Sequence, residues 1–218
     1  MNAFDPALAS RIRDAANIAV LVLDDEEKAI PLAEALLAGG VTAMELTLRT
    51  PAALLAMKRI VKAFPQMIVG AGTVLRAEQL KQAQDAGAAF AVAPGLNPAI
   101  VEEAAKIGIP FAPGVMTPSE IDRALELGCT LQKFFPAEPM GGLKTLKAMV
   151  APFKHLGPTF IPLGGLKPEN TKEYLASPLI AACGGSWMCT PAIIAASDWA
   201  AVKANAELAT RLAREARA

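Results

Sequence analysis

The feature that most limits the fold of this chain is a unit that recurs along it. An alanine-rich helical segment is followed by a glycine, a short apolar run, and a turn of Gly, Pro or Thr. Gly87, Gly108 and Gly128 each occupy the glycine position, where a left-handed residue commonly ends a helix. They recur at intervals of 21 and 20 residues, the length of one strand, one helix and short loops. The pattern predicts alternating strands and helices.

Apolar runs between these signals predict eight strands. They are expected at residues 18–23, 43–47, 68–71, 89–93, 109–112, 129–135, 159–163 and 180–183. An additional helix is expected at residues 5–15, before the first strand. Eight strands alternating with helices favour an α/β fold, a single (β/α)8 TIM barrel with an extra N-terminal helix, over an open sheet with fewer strands. Because such barrels contain about 200–250 residues, we expect one domain over residues 1–218.

Composition limits the class of partner. Of 218 residues, 53% are hydrophobic and 19% charged, which supplies a large core. Lys and Arg together number 21, as do Asp and Glu, so no net charge attracts nucleic acid or an anionic membrane. Cys129, Cys183 and Cys189 lack CxxC spacing and are interpreted as reduced packing residues. No apolar run reaches the ~18 residues of a membrane span. We therefore expect a cytoplasmic protein with a small-molecule ligand.

The segment CTLQKFFPA suggests a reactive lysine. Strand alternation places Lys133 on one face with Leu131 and Phe135. Apolar surroundings disfavour the ammonium form of a lysine, and the neutral amine can then attack a carbonyl carbon to form a Schiff base. Alternatively, the lysine stem packs on the sheet while its ammonium group reaches solvent at the strand end. The segment alone favours neither interpretation.

The segment VTAMELTLRT places a carboxyl group in an apolar strand. Glu45 shares a face with Val41, Ala43 and Thr47. Burial favours a carboxyl group that both takes and gives protons, as imine and enamine formation requires. The alternative is an ion pair with Lys133 or Arg49. Arg49, just after the strand, offers a planar fork suited to a substrate carboxylate, unless it is an ordinary surface arginine.

Two glycine-rich loops follow the last two predicted strands, in IPLGGLKPEN and ACGGSWM. Barrels frequently bind phosphate at these loops through backbone N–H groups, and glycine permits the close approach. Ser186 offers a hydroxyl donor, with a helix cap as its alternative role. His155 is the single histidine, which disfavours a metal-dependent mechanism, and we expect no metal site.

Taken together, several motifs carry a family resemblance. They are ELTLRT (45–50), VGAGTV (69–74), APGL (93–96), PGVMTPSE (113–120), KFFPAE (133–138), GGL (164–166) and GGSW (184–187). This set resembles the 2-keto-3-deoxy-6-phosphogluconate (KDPG) aldolases, also described as 4-hydroxy-2-oxoglutarate aldolases, from about residue 18 to residue 199. The resemblance implies a cofactor-free class I aldolase of the Entner–Doudoroff pathway. Such an enzyme cleaves the phosphorylated keto acid to pyruvate and an aldehyde, glyceraldehyde 3-phosphate, usually as a homotrimer.

The resemblance also implies a role for each matching residue. Lys133 forms the imine and Glu45 transfers protons. Arg49 and Thr73 hold the pyruvyl carboxylate, and Pro94 and Phe135 line an apolar wall. The phosphate is received by Gly164, Gly165, Gly185 and Ser186.

Three positions depart from the family pattern. Ala19 stands where proline is usual, Ala93 where serine or threonine is common, and Leu163 where threonine precedes the glycine pair. Leu163 is expected to border the part of the substrate farthest from the imine, where it cannot donate a hydrogen bond. The imine-forming residues are all present, so these departures concern the aldehyde acceptor and predict a preference for less polar aldehydes.

Two other functions compete with the aldolase. One is a different phosphate-binding barrel enzyme, an isomerase or epimerase, which normally needs a catalytic histidine or metal ligands. The other is an aldolase-derived barrel that serves as an oligomeric scaffold and keeps the aldolase residues as remnants.

Overall fold

The computed structural model describes residues 4–218 and has an α/β architecture of parallel strands covered by helices. Residues 1–3, which the predicted domain includes, lie outside the described residues. The strands are β1 (Asn17–Leu21), β2 (Ala43–Thr47), β3 (Ile68–Gly72), β4 (Phe90–Val92), β5 (Phe111–Ala112), β6 (Gly114–Val115), β7 (Leu131–Phe134), β8 (Thr159–Pro162) and β9 (Cys183–Gly185). The α-helices are α1 (Pro6–Ala15), α2 (Ala29–Ala38), α3 (Ala53–Ala63), α4 (Ala77–Asp85), α5 (Pro98–Ile107), α6 (Pro118–Glu126), α7 (Gly142–Val150), α8 (Pro168–Leu175), α9 (Pro191–Ala195) and α10 (Trp199–Arg217).

The strands form two parallel sheets. A six-stranded sheet has the order β5-β4-β3-β2-β1-β9, and a three-stranded sheet has the order β6-β7-β8. In the first sheet Glu45 pairs with Val20 on one side and with Gly70 on the other. In the second sheet Lys133 pairs with Gly114 and Ile161. Parallel pairing brings the carboxyl ends of neighbouring strands to the same edge, which is where Glu45 and Lys133 lie.

Two predicted strands differ from the observed ones by more than a shift of one or two residues at an end. The run predicted at 109–112 becomes β5 and β6, which are interrupted at Pro113, a residue without an N–H group for the strand ladder. The strand predicted at 180–183 begins instead at Cys183 and continues through Gly184 and Gly185. Glycine has a low strand propensity, so the sequence signal fades where pairing with β1 extends the strand.

Local sequence explains the helix ends. At α6, the Thr117 hydroxyl accepts from the Glu120 N–H at 3.2 Å, and the Glu120 carboxylate accepts from the Thr117 N–H at 2.9 Å. This reciprocal capping box satisfies donors that a helix start leaves free. Helix α5 ends at a glycine. Gly108, directly after this helix, has φ of +78°, the left-handed conformation that glycine adopts without strain.

Apolar side chains pack on both faces of the strands. The larger cluster fills the space between the strands and the helices, whereas a smaller cluster on the opposite face includes Ile18, Ile68, Phe90 and Ile161. The segment of α1 borders the smaller cluster, where the Phe4 and Phe90 ring centroids are 6.2 Å apart. The smaller cluster thus fills the space on this face and extends to Leu163, beyond the carboxyl end of β8.

Candidate active site

A cavity of about 360 Å³ lies at the carboxyl ends of the strands. It is bordered by nine of the residues singled out from the sequence, namely Glu45, Arg49, Thr73, Pro94, Lys133, Phe135, Leu163, Gly164 and Ser186. These residues come from six different strands or the loops after them, so only the tertiary fold brings them together. The volume falls within the ~300–1,000 Å³ range typical of small-molecule sites.

Lys133 and Glu45 form a buried ion pair at this cavity. The Lys133 Nζ lies 3.1 Å from Glu45 Oε1 and 3.4 Å from Oε2. Lys133 is 5% exposed and Glu45 is 2% exposed. The ammonium group therefore does not reach solvent at the strand end, and that sequence-based alternative is wrong. The ion pair expected as the alternative for Glu45 is present, and it brings a carboxylate within proton-transfer distance of the amine.

Close packing fixes the glutamate. A Cβ atom added to Gly72 would lie 2.1 Å from Glu45 Oε1 and 2.6 Å from Cγ. No side chain fits at position 72 unless Glu45 moves, so the absence of one is what lets the carboxylate lie against β3. On the other side of the pair, the Phe135 ring centroid is 5.5 Å from Lys133 Nζ, within the range of a cation–π contact.

Arg49 is oriented by a short hydrogen-bond chain. Its Nε donates to the Thr47 hydroxyl at 3.1 Å, and that hydroxyl donates to the Leu21 carbonyl at 3.2 Å. These two hydrogen bonds hold the Nε end of the guanidinium group, and the Arg49 side chain borders the cavity. Arg49 is thus an exposed residue whose side chain is held at the edge of the cavity, where the sequence predicts a carboxylate site.

Thr73 has an uncommon backbone conformation. Its φ is +59°, in the left-handed region that β-branched residues rarely occupy. Such conformations cost about 1–3 kcal/mol and cluster at functional sites, where surrounding structure holds them. Thr73 immediately follows β3 and borders the cavity, which agrees with the position predicted for it.

The glycine loops are only partly at the cavity wall. Gly164, with φ of +93°, borders the cavity together with Gly184 and Ser186. Gly165 and Gly185 are not among its lining residues. A Cβ at Gly165 would lie 2.6 Å from Glu138 Cβ, and one at Gly185 would lie 2.7 Å from the Trp187 ring. Strand alternation turns Gly185 away from the cavity next to Gly184, whereas Gly165 lies in the turn after β8 with φ of +82°. Any contact that these two glycines make with a ligand is through the backbone.

Leu163 and Gly184 are in direct contact. Leu163 is 5% exposed, and a Cβ at Gly184 would lie 2.5 Å from its Cγ. The isobutyl group therefore occupies the space beside the glycine. Val20, on the neighbouring strand β1, and Val22, just after β1, also border the cavity. Leu163, Val20 and Val22 give this side of the cavity an apolar surface, to which Ser186 adds one hydroxyl group. The hydroxyl groups of Thr47 and Thr73 and the charge of Arg49 lie on the side of β2 and β3.

The sequence did not single out several lining residues. They are Val20, Leu21, Val22, Thr47, Gly184, Cys189 and Pro191. Strand alternation placed Thr47 on the same face as Glu45, and this signal was sufficient to predict Thr47 as a cavity-lining residue. Cys189 ends a short 3-10 helix after β9 and Pro191 begins α9, and no periodic signal identifies them.

Across residues 4–218, no group of three or more His, Cys, Asp or Glu side chains is arranged to hold a metal ion. Within the same range, no helix is both long enough and apolar enough to cross a membrane.

Comparison with known proteins identifies close relatives. The family model described as "Aldolase: KDPG and KHG aldolase" matches residues 8–205. The 2-dehydro-3-deoxy-phosphogluconate aldolase of Treponema pallidum (strain Nichols) is 45% identical over 187 residues, which cover 86% of this chain and 88% of the relative. The KHG/KDPG aldolase of Escherichia coli (strain K12) is 42% identical over 199 residues, 91% of this chain and 89% of the relative.

A solved structure gives the same result. The crystal structure of KDPG aldolase from Legionella pneumophila, with pyruvate captured at low pH as a covalent carbinolamine intermediate, superimposes with a TM-score of 0.86. It is 38% identical in sequence, and the match covers 91% of this chain and 96% of that one.

Proposed function

The chain belongs to the KDPG and KHG aldolase family, and from this premise we propose that it is a class I aldolase acting on KDPG or a related 4-hydroxy-2-oxo acid. The reaction is a reversible retro-aldol cleavage to pyruvate and an aldehyde. The observation that carries the proposal is the buried Lys133–Glu45 pair, 3.1 Å apart at the cavity. A lysine amine beside a proton acceptor is the arrangement that Schiff-base chemistry needs.

The first step is imine formation. Glu45 takes a proton from the Lys133 ammonium group, and the neutral amine attacks the keto carbon to give a carbinolamine. Protonation of the carbinolamine hydroxyl, with Glu45 as donor, releases water and leaves a protonated imine. The 3.1 Å separation of Nζ and Oε1 is within direct proton-transfer reach.

The second step breaks the carbon–carbon bond. A base removes the proton of the hydroxyl group on carbon 4, and the bond between carbon 4 and the carbon 3 methylene group breaks. The electron pair of this bond moves into the protonated imine to form an enamine. The aldehyde leaves. Protonation of the enamine carbon and addition of water to the imine then release pyruvate and regenerate the Lys133 amine. Glu45, directly or through water, carries these protons.

The pyruvyl carboxylate is assigned to Arg49 and Thr73. The guanidinium is oriented by Thr47, and a planar fork matches a carboxylate in a bidentate manner. Pro94 and Phe135 form the apolar wall beside the imine. The phosphate is assigned to the backbone N–H groups of Gly164, Gly165 and Gly185 and to Ser186, with glycine allowing close approach.

We extend the proposal to the architecture and assembly. The two sheets are joined into one closed (β/α)8 barrel, with α1 as the extra N-terminal helix and residues 1–218 as a single domain. Two contacts support closure: a parallel bridge between Phe160 and Ile180, and a hydrogen bond of 3.3 Å from Gly114 N–H to the Gly95 carbonyl. The family resemblance supports a cytoplasmic homotrimer.

The experiment that tests the function is borohydride reduction in the presence of pyruvate, followed by peptide mass mapping. Reduction traps an imine irreversibly, so the wild type should carry one pyruvate-derived adduct on Lys133. Lys133→Arg keeps the positive charge but should lose the adduct, and Lys147→Arg, on the exposed face of α7, should retain it. An adduct at another lysine, or none, would refute the mechanism.

A further inference from the structure

A buried tyrosine hydroxyl outside the cavity is bonded to a motif residue that the mechanism does not use. Tyr174, on α8, is 1% exposed, and its hydroxyl donates to Glu138 Oε1 at 2.6 Å. Glu138 closes the KFFPAE segment, five residues after Lys133. Burial and the neighbouring Glu138 carboxylate raise the pKa of Tyr174, so the hydroxyl stays protonated and remains a donor.

Glu138 in turn contacts the glycine loop after β8. Its backbone N–H donates to the Gly164 carbonyl at 3.0 Å, and the preceding Ala137 N–H donates to the Leu163 carbonyl at 2.7 Å. A Cβ on Gly165 would lie 2.6 Å from Glu138 Cβ. The loop that borders the cavity at Gly164 is thus held against the backbone and side chain of Glu138.

The start of α7 closes around the same pair. A Cβ on Gly142 would lie 2.8 Å from Glu138 Oε1 and 3.0 Å from the Tyr174 hydroxyl. Three elements therefore meet at this hydrogen bond: the loop after β7, the first turn of α7, and α8. Glu138, Gly142 and Tyr174 do not border the cavity. Any effect that they have on a ligand must therefore be transmitted through the glycine loop after β8.

From these contacts we infer that Tyr174 and Glu138 are positioning residues, which hold the Gly164–Gly165 loop in the shape that receives the anionic end of the substrate. The inference rests on the proposed function, in which this loop binds the phosphate. Tyr174 fixes the Glu138 side chain, and Glu138 fixes the loop from behind. Loss of the bond lets the loop N–H groups depart from the geometry that a phosphate requires, without altering the Lys133–Glu45 pair.

The test compares KDPG with its dephosphorylated analogue, 2-keto-3-deoxygluconate, in steady-state kinetics. Tyr174→Phe removes only the hydroxyl. We expect it to raise the KM for KDPG about five- to tenfold, with less than about a twofold change in KM for the analogue, because the lost interaction acts on phosphate binding. Glu138→Ala, at an exposed residue, should raise the ratio of the KM for KDPG to the KM for the analogue by the same factor. Glu138→Gln keeps a hydrogen-bond acceptor, so its KM ratio should lie close to that of the wild type.

A matched control separates positioning from general loosening. Thr210→Val removes another side-chain hydroxyl, one that donates to the Gly39 carbonyl at 2.9 Å between α10 and α2. It should lower the melting temperature without changing the KM ratio. The inference would be overturned if Tyr174→Phe changed the KM for both substrates equally or changed neither. It would also be overturned if Thr210→Val shifted the KM ratio as much as Tyr174→Phe does. Failure of pyruvate trapping in the wild type would instead refute the proposed function.

Discussion

Lys133 Nζ lies 3.1 Å from Glu45 Oε1, although the two residues are 88 positions apart and belong to different sheets. Both side chains are almost fully buried, so water screens the pair very little. A buried ion pair of this kind is weak evidence for stability, because desolvation offsets much of the Coulombic attraction. Its location at the cavity agrees with the catalytic role that we propose for it.

Glu45→Gln should lower kcat about 10²–10⁴-fold, because the amide keeps the shape of the carboxyl group but cannot transfer protons. Steady-state cleavage of KDPG measures the effect, and slow accumulation of the trapped pyruvate adduct would report the same loss in imine formation. A near-normal kcat would reduce Glu45 to a structural partner of Lys133.

Gly72→Ala should lower kcat by displacing Glu45, since the new methyl group would meet Oε1 at 2.1 Å. Gly95→Ala is the matched control, because a methyl group there meets nothing within 4 Å. Circular dichroism and melting temperature should show that both variants fold. If the two variants have equal activity, the close contact between Gly72 and Glu45 has no catalytic importance.

Arg49→Ala should weaken pyruvate binding about ten- to a hundredfold, the usual effect of losing a charge-assisted hydrogen bond. The pyruvate concentration that gives half-maximal borohydride trapping measures this directly. Arg123→Ala, which removes an exposed arginine paired with Glu126, is the control and should bind normally. Unchanged trapping by Arg49→Ala would exclude Arg49 from the carboxylate site.

Leu163→Thr should shift acceptor preference toward glyceraldehyde 3-phosphate and away from apolar aldehydes. The leucine presents an apolar surface beside Gly184, and a desolvated polar group left unpaired there costs about 1–3 kcal/mol. The quantity to compare is the ratio of kcat/KM for the phosphorylated and an apolar aldehyde with pyruvate. A stability effect would lower both values together, and an unchanged ratio would make Leu163 a packing residue.

Cys189 should make the protein sensitive to alkaline pH. Burial raises the pKa of its thiol to about 12. In the unfolded chain the pKa of a cysteine thiol is about 8.5. The folded state thus binds more protons between these values, so the stabilising contribution is complete below about pH 8.5 and is lost as pH rises toward 12. The slope contributed by one thiol is at most about 1.4 kcal/mol per pH unit.

Urea unfolding at pH 7 and pH 10 measures this dependence. Cys189→Ala should lose less stability between the two values than the wild type, since it has no thiol to ionise in the unfolded chain. At pH 8 the wild-type thiol should also resist alkylation until the protein unfolds. Identical pH dependence in both proteins would show that Cys189 does not contribute.

Much of the fold follows from local signals. The predicted 43–47 strand agrees with β2 at both ends, and the Thr117–Glu120 capping box begins α6. Two strands differ most, for different reasons. Pro113 has no N–H group for the strand ladder, whereas pairing with β1 extends β9 through Gly184 and Gly185 despite their low strand propensity. The identity of Lys133, Glu45, Arg49 and Thr73 as candidates came from residue type and strand alternation together with the family motifs.

The sequence by itself determined the strand and helix alternation, the face on which each strand residue lies, and the chemistry available at the strand ends. These properties depend on local periodicity and capping, which a linear chain encodes directly. Only the tertiary structure decided that Lys133 points to Glu45 instead of solvent, that Gly184 rather than Gly185 borders the cavity, and that Leu163 lies against Gly184. Such relationships depend on register between strands distant in sequence and on close packing, where a single atom decides what fits.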